Sequence, residues 1–254
     1  MESTLPTTFF GWIWFLLQEY GSRFAEGTAA SLGLSVLGTA AGCLIGLLVG
    51  VIQTIPSTPH SLAGRRGALW AIKALTNAYV GFFRGTPMMV QAVLMYYGFV
   101  QLTGQRISPL LAGLIVVSIN TGAYMAETVR GGILSVDPGQ TEGAKAIGMS
   151  HLRTMTKIVL PQAFRNIIPQ IGNNLVGNIK DTSVLSVIAV NELFYMGRSA
   201  SGTYFKYFEV FFIICIIYLV LNYLFTWLLK LLEKKIDGPS SYELASEFMD
   251  NSAA

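Results

Sequence analysis

The chain has 254 residues, of which 52% are hydrophobic and only 12% charged, and its formal net charge is +3. Soluble domains carry about 25% charged residues, so this composition excludes an ordinary soluble protein and indicates an integral membrane protein. The small positive charge is not typical of a nucleic-acid-binding protein. The two cysteines, Cys43 and Cys215, lie in apolar segments, which predicts neither a disulfide nor a metal site.

Long apolar runs account for most of the hydrophobicity, and a transmembrane helix needs about 20 such residues. Strands of a membrane barrel would instead alternate over about 10 residues. The sequence therefore predicts an all-α membrane protein with five spans, of which the second is short and extends backwards through 69–83. The predicted spans are Thr28–Gln53, Met88–Leu102, Pro109–Val129, Leu175–Phe194 and Val210–Leu232.

The basic residues predict how these spans are oriented. With five spans, twelve Lys and Arg fall in one set of loops and four in the other, with Lys180 at the start of a span. The positive-inside rule then places the N-terminus outside and the C-terminus in the cytoplasm. We expect residues 1–27 to be extracytoplasmic, with an interfacial helix at Phe9–Leu17 rather than a cleavable signal. Residues 28–234 would form the membrane domain, and 235–254 a flexible cytoplasmic tail.

The first span carries glycines at four-residue spacing, Gly38, Gly42, Gly46 and Gly50. On a helix they form one stripe, and small residues let helices approach closely in lipid. The stripe predicts a helix-packing face, with a pore-lining role as the alternative. Farther along, Arg84-Gly85-Thr86-Pro87 predicts a helix break, because Thr86 precedes a proline and is pushed out of the α region.

The third and fourth spans contain polar residues, which are expensive in lipid and therefore face protein or a water-filled path. In the third span Asn120, Tyr124 and Glu127 lie at i, i+4 and i+7 and share one helix face. The fourth begins with a polar segment that includes Asp181, Thr182 and Ser183. These six residues are the candidates for a substrate path, and a structural polar network is the alternative for both groups.

The loop between these spans, residues 131–170, is rich in Lys and Arg and resembles a docking element. Asp137 and Pro138 are suited to begin a helix, and Gly148 is suited to end it in a left-handed conformation. Ser150 can cap a second helix, in which Leu152, Met155 and Val159 would form one apolar face. No phosphate-binding loop occurs in the sequence, so any energy must come from a partner.

The spacing from Glu142 to Pro161 resembles a known signature. It reads Glu142-Gly143-Ala144, three residues, Gly148, nine residues and Ile158-Val159-Leu160-Pro161. In this it resembles the permease subunits of ATP-binding cassette importers, whose signature differs only by Ala at the position of Gly143. Further stretches resemble the polar amino-acid branch (histidine, glutamine, glutamate, arginine) of that family: 82–87, 120–127, 160–164 and 180–186.

The resemblance implies a type I importer permease fold of five transmembrane helices with a cytoplasmic coupling helix. Two permease subunits, identical or paired with a sister, would form the path by alternating access. Two ATPase subunits would bind ATP and Mg²⁺ and dock on the coupling loop, and an extracytoplasmic solute-binding protein would deliver a polar or charged amino acid. The chain itself would be no enzyme and would bind no cofactor. The residues expected to contact the ATPase are Glu142, Ala144, Gly148, Met149, Ser150, Leu152 and Met155.

Two other classes remain open on the residues alone. A proton-coupled secondary transporter would use Glu127 and Asp181 as coupling carboxylates. A membrane enzyme would need a catalytic constellation, but the only histidines, His60 and His151, lie in loops without metal-ligand or nucleophile–base partners. The acidic residues suit either a cationic amino acid or the α-ammonium group of a neutral one.

Overall fold

The structure is a computed structural model that describes residues 5–56 and 63–237. Within these ranges helices are the only regular secondary structure, which confirms the predicted all-α class. The α-helices are α1 (Phe9–Thr54), α2 (Ala63–Gly85), α3 (Met88–Thr103), α4 (Pro109–Leu134), α5 (Pro138–Ala146), α6 (His151–Thr154), α7 (Leu160–Asp181), α8 (Leu193–Tyr204) and α9 (Tyr207–Asp237). A π-helical turn spans Met155–Val159 and a 3₁₀ segment spans Thr182–Ile188.

Among the described residues, three helices are long and apolar enough to cross a membrane: Phe9–Thr54, Pro109–Leu134 and Tyr207–Lys235. They contain the first, third and fifth predicted spans. The second predicted span corresponds to the shorter apolar helix α3. The count of five is therefore not confirmed, and the fourth span differs most from its prediction.

The fourth predicted span, Leu175–Phe194, is not one continuous helix. α7 ends at Asp181, and the 3₁₀ segment leads to Ala189, which has a left-handed backbone with φ of 59°. The 3₁₀ segment is rich in β-branched residues and serines, which favour the α-helix weakly because of restricted rotamers and competing hydrogen bonds. Apolarity alone predicted a span here and missed this break.

Helix α1 is longer than any bilayer requires. Its 46 residues correspond to about 69 Å at 1.5 Å per residue, more than twice a hydrocarbon core of about 30 Å. The expected interfacial helix at Phe9–Leu17 is therefore not separate but forms the first turns of α1. These turns share a buried cluster with α8 and the start of α9, formed by Trp12, Leu16, Tyr20, Phe24, Leu193, Ala200, Val210, Ile213 and Ile214.

The glycine stripe of α1 packs directly on α4, as predicted for a packing face. Each glycine meets a side chain or backbone of α4: Gly38 lies against Val117, Gly42 against Thr121, Gly46 against Met125 and Gly50 against Val129. A methyl group on Gly42 would lie 2.7 Å from the Thr121 Cβ and 3.0 Å from the Gly122 nitrogen. The two helices are thus as close as their backbones allow.

The predicted break before Pro87 is also confirmed, and Gln91 stabilises it. α2 ends at Gly85 and α3 begins at Met88, with Pro87 in extended conformation. The Gln91 side chain is buried and its amide nitrogen donates to the Phe83 and Thr86 carbonyls, each at 2.9 Å. One side chain therefore donates to the backbone carbonyls that the bend between α2 and α3 leaves without helical partners.

Candidate functional site

A polar cavity of about 530 Å³ opens between α4, α7 and the bend before α3. It falls within the range of small-molecule sites, roughly 300–1,000 Å³. Of the six substrate-path candidates, Asn120, Tyr124 and Asp181 line it. Its lining comprises Thr86, Pro87, Met88, Asn120, Thr121, Tyr124, Asn173, Asn174, Gly177, Asn178, Asp181 and Val184, among which Asp181 alone is charged. The cavity therefore offers one carboxylate among amides and hydroxyls.

The α7 wall of the polar cavity follows helical spacing. Asn173, Gly177 and Asp181 lie four residues apart, as do Asn174 and Asn178, so they share a face. The prediction from sequence selected Thr182 and Ser183 beyond Asp181 and did not include these asparagines. Because the α-helix ends at Asp181, the helical four-residue spacing holds only for the residues that precede Asp181, and these residues line the cavity.

Asn178, in the wall of the polar cavity, connects three helices. Its amide nitrogen donates to the Thr39 hydroxyl of α1 at 2.8 Å and to the Thr121 hydroxyl of α4 at 2.9 Å. The side chain of Asn178 is buried, as are both hydroxyl partners. Buried polar groups without partners are costly, so this arrangement holds α7 in one register against α1 and α4.

Asn120 has a double role. Its amide nitrogen donates to the Gln91 side-chain oxygen at 2.9 Å and to the Phe83 carbonyl at 3.3 Å. The residue therefore lines the polar cavity and also fixes α4 to the bend before α3. Asn120 therefore belongs to a structural polar network and also forms part of the cavity wall. The sequence had left these two roles as alternatives.

Thr182 and Ser183 do not line the polar cavity. The Thr182 side chain is fully buried and its hydroxyl donates to the Ile179 carbonyl at 3.1 Å. The change from α-helix to 3₁₀ geometry after Asp181 turns this hydroxyl into the core. The structure thus separates these two residues from the other candidates.

Glu127 lines a second cavity of about 510 Å³, which we call the basic cavity. The Glu127 carboxylate pairs with Arg84 and lies 3.8 Å from Arg130. The Lys73 ammonium group donates to the Ile55 carbonyl at 2.6 Å, which connects α2 to the end of α1. The lining comprises Gln53, Lys73, Asn77, Val80, Gly81, Arg84, Glu127 and Arg130.

The coupling loop folds into two helical pieces joined at Gly148, as predicted. Asp137 begins α5 by accepting a hydrogen bond from the Gly139 nitrogen at 2.6 Å. At its end, the Met149 nitrogen donates to the Ala144 carbonyl and the Gly148 nitrogen to the Lys145 carbonyl, with Gly148 at φ of 80°. This is the double hydrogen bond of a Schellman motif. Ser150 caps α6 by accepting from the Arg153 nitrogen.

The expected apolar face of the second helical piece is split. Leu152 is 72% exposed, whereas Val159 is buried in a cluster with Val129 and Ile167, and Met155 packs against that cluster. The π-helical turn over Met155–Val159 inserts extra backbone and changes the register, and it precedes Pro161, whose ring would clash with an ordinary helical turn. Ile147, which was not among the predicted contact residues, is 78% exposed.

The remaining coupling candidates divide by exposure. Glu142 and Ser150 are exposed, Met149 is half-buried, and Ala144 is buried, with 3% exposure. Gly143, at the one departure from the signature, is exposed and has open space around its Cβ position. An alanine would fit there, so the departure leaves the geometry of the loop unchanged.

Comparison with known protein families identifies the family of this chain. Residues 61–238 match the family described as binding-protein-dependent transport system inner membrane component. The chain belongs to this family. It is accordingly a membrane transport subunit and not an enzyme, and the sequence-based recognition of an importer permease is confirmed.

Named relatives agree with this assignment. The chain is 32% identical to the glutamine transport system permease protein GlnP of Escherichia coli strain K12, over 83% of this chain and 91% of the relative. It is likewise 32% identical, with the same coverage, to the arginine transport system permease protein ArtQ of Bacillus subtilis strain 168.

Two solved structures share the fold. An amino acid ABC transporter crystallised with histidines superposes with a TM-score of 0.77 at 33% identity, covering 87% of this chain and 97% of that one. The inward-facing MetNI methionine transporter superposes with a TM-score of 0.70 at 19% identity, covering 86% and 98%. The type I importer permease fold is thus confirmed, and these comparisons do not support the proton-coupled alternative.

Proposed function

We propose that this chain is the permease subunit of an ATP-driven importer for a polar or charged α-amino acid. The observation that carries the proposal is the polar cavity, which combines the Asp181 carboxylate with asparagine amides from α4 and α7. Two relatives named for glutamine and arginine transport support the same substrate class. The proposal extends the family assignment to a class of substrate and to the cavity that would bind it.

The lining of the polar cavity suits the two charges of an amino acid. The Asp181 carboxylate would pair with an ammonium group, either the α-ammonium or that of a cationic side chain. The amide nitrogen of Asn173 would donate to the carboxylate or to a polar side chain, as would the second N–H of Asn174, whose amide nitrogen also donates to the Gln170 carbonyl at 2.9 Å. Asn120 and Asn178 already donate to neighbouring side chains, so they would position the wall and contribute less to binding.

We further propose the arrangement that the sequence predicted. The N-terminus would lie outside and the coupling loop in the cytoplasm, where ATPase subunits that bind ATP and Mg²⁺ would contact Ile147 and Leu152. A second permease subunit, identical or a sister, would complete the path, and an extracytoplasmic binding protein would deliver the amino acid. Closure of the ATPase dimer would then draw the two coupling loops together and rock the bundles between inward- and outward-facing states.

The test measures ATPase activity of the reconstituted complex with its cognate binding protein and a panel of amino acids. Stimulation by one polar amino acid is expected, and Asp181→Asn should lower uptake of that amino acid or change its selectivity while the ATPase remains bound. Glu26→Gln is the matched control, because it makes the corresponding change at an exposed carboxylate that lines neither cavity. An intact complex stimulated by no amino acid would contradict the substrate class.

A further inference from the structure

The polar and basic cavities meet at three residues. Tyr124 lines the polar cavity, and Arg84 and Glu127 line the basic cavity. The Arg84 guanidinium lies over the Tyr124 ring, with 5.4 Å between its central carbon and the ring centroid, and it pairs with Glu127 one helical turn farther along α4. The contact between Arg84 and Tyr124 therefore links the lining of the basic cavity to that of the polar cavity.

The charges of the basic cavity match the head group of an α-amino acid. Lys73, Arg84 and Arg130 line this cavity together with Glu127, which supplies its single carboxylate. A zwitterion carries one carboxylate and one ammonium group a few ångströms apart. Its carboxylate would pair with Arg84, because a guanidinium group can bind a carboxylate with two parallel hydrogen bonds. Its ammonium group would pair with Glu127.

The Arg84–Glu127 pair is built to exchange partners. Both side chains are 40% exposed in the single chain, although the Glu127 oxygen that contacts Arg84 is itself buried, and ion pairs between partly exposed side chains contribute little net stability. Arg130, at 3.8 Å from the other Glu127 carboxylate oxygen, would keep Glu127 oriented after Arg84 turns away. Exchange with a zwitterion would leave Arg84 and Glu127 each paired with an opposite charge, which an uncharged or singly charged solute would not do.

From this geometry we propose that the basic cavity is a second binding station for the zwitterionic head group of the transported amino acid, entered when that head group replaces the Arg84–Glu127 ion pair. The inference rests on the proposed amino-acid substrate and adds a selectivity step after the polar cavity. At this step the basic cavity would bind the α-carboxylate and α-ammonium groups together, whereas the polar cavity would also contact the side chain of the amino acid.

Two glycines offer matched reporters for the two cavities. Gly81 lines the basic cavity with open space around its Cβ position, and Gly177 lines the polar cavity with only the Asp181 carboxylate within 4 Å. In a background of Cys43→Ala and Cys215→Ser, single Gly81→Cys and Gly177→Cys variants would be assembled with the partner ATPase in lipid nanodiscs. The rate of modification by a hydrophilic thiosulfonate reagent would be measured with L-glutamine or L-arginine, and with their α-amides, which lack the carboxylate.

We expect one of the two amino acids to slow modification at both reporters at least fivefold, and its α-amide to leave Gly81→Cys unprotected. Adding Glu127→Gln should abolish protection at Gly81→Cys and preserve it at Gly177→Cys. Protection at the polar cavity alone in the unaltered background would overturn the second station and leave the proposed function standing. Protection at Gly81→Cys that survives both Glu127→Gln and Arg84→Gln would also overturn it. An intact complex protected at neither reporter would overturn both proposals.

Discussion

The contact between α1 and α4 makes a sharp prediction about two glycines of the same helix. At Gly46, an added Cβ would lie 2.8 Å from the Ala126 backbone nitrogen, closer than real Cβ atoms approach. At Gly33, nothing lies within 4 Å of the same position. We therefore compare Gly46→Ala with Gly33→Ala, which make the same chemical change in the same helix.

The expected magnitude follows from two opposing effects. Alanine is favoured over glycine in a helix by about 1 kcal/mol, and this gain is common to both variants. Overpacking a close contact costs about 1–3 kcal/mol, and at Gly46 the obstacle includes backbone of α4, which cannot rotate away as a side chain can. Because the propensity gain cancels, the two variants should differ by about 1–3 kcal/mol in the free energy of unfolding.

The assay is the midpoint of thermal unfolding of the purified complex in detergent. For a chain of this size, 1 kcal/mol corresponds to about 2–4 °C, so Gly46→Ala should unfold several degrees below Gly33→Ala. Gly33→Ala should match or slightly exceed the unaltered protein. Equal midpoints for the two variants would refute the reasoning, because they would mean that α1 and α4 can separate at no cost.

Three further predictions use paired variants. Asn178→Ala should destabilise the complex by about 1–3 kcal/mol, because it leaves buried hydroxyls without their donor. Asn166→Ala should cost less, because the Asn166 amide donates to an exposed hydroxyl, and equal thermal midpoints for the two variants would contradict this. Leu152→Glu should abolish copurification of the ATPase, and Gly143→Ala in the same loop should preserve it; retention of the ATPase by Leu152→Glu would exclude that contact. Glu192→Ala should lower stability by about 0.5–2 kcal/mol, because Glu192 caps α8, and Glu192→Gln should lose less; identical losses would mean that the cap contributes nothing.

The sequence predicted the features that depend on local chemistry. The glycine stripe of α1 indicated close packing because a four-residue repeat lies on one helix face. The break at Thr86-Pro87 and the caps at Asp137 and Ser150 followed from residues that fix the backbone or accept its hydrogen bonds. Gly148 was predicted to be left-handed and is so, with φ of 80°.

The features that depend on distant residues were predicted only in part. The sequence placed Glu127 with Asn120 and Tyr124 on one face of α4, but it did not indicate that Arg84 would approach Glu127 and that the face would serve two cavities. It also did not indicate that Gln91 bonds Asn120, since these residues are 29 positions apart. The break after Asp181 was missed because hydropathy does not distinguish a 3₁₀ segment from an α-helix.

The length of α1 has a mechanical consequence. The helix runs without interruption from the cluster it shares with α8 and α9 to Gln53 in the lining of the basic cavity. A rigid rod of about 69 Å that tilts by about 10° around its middle moves its two ends by about 6 Å in opposite directions. α1 would then pivot about its middle, so that a displacement near Trp12 narrows one end of the helix bundle and widens the other end.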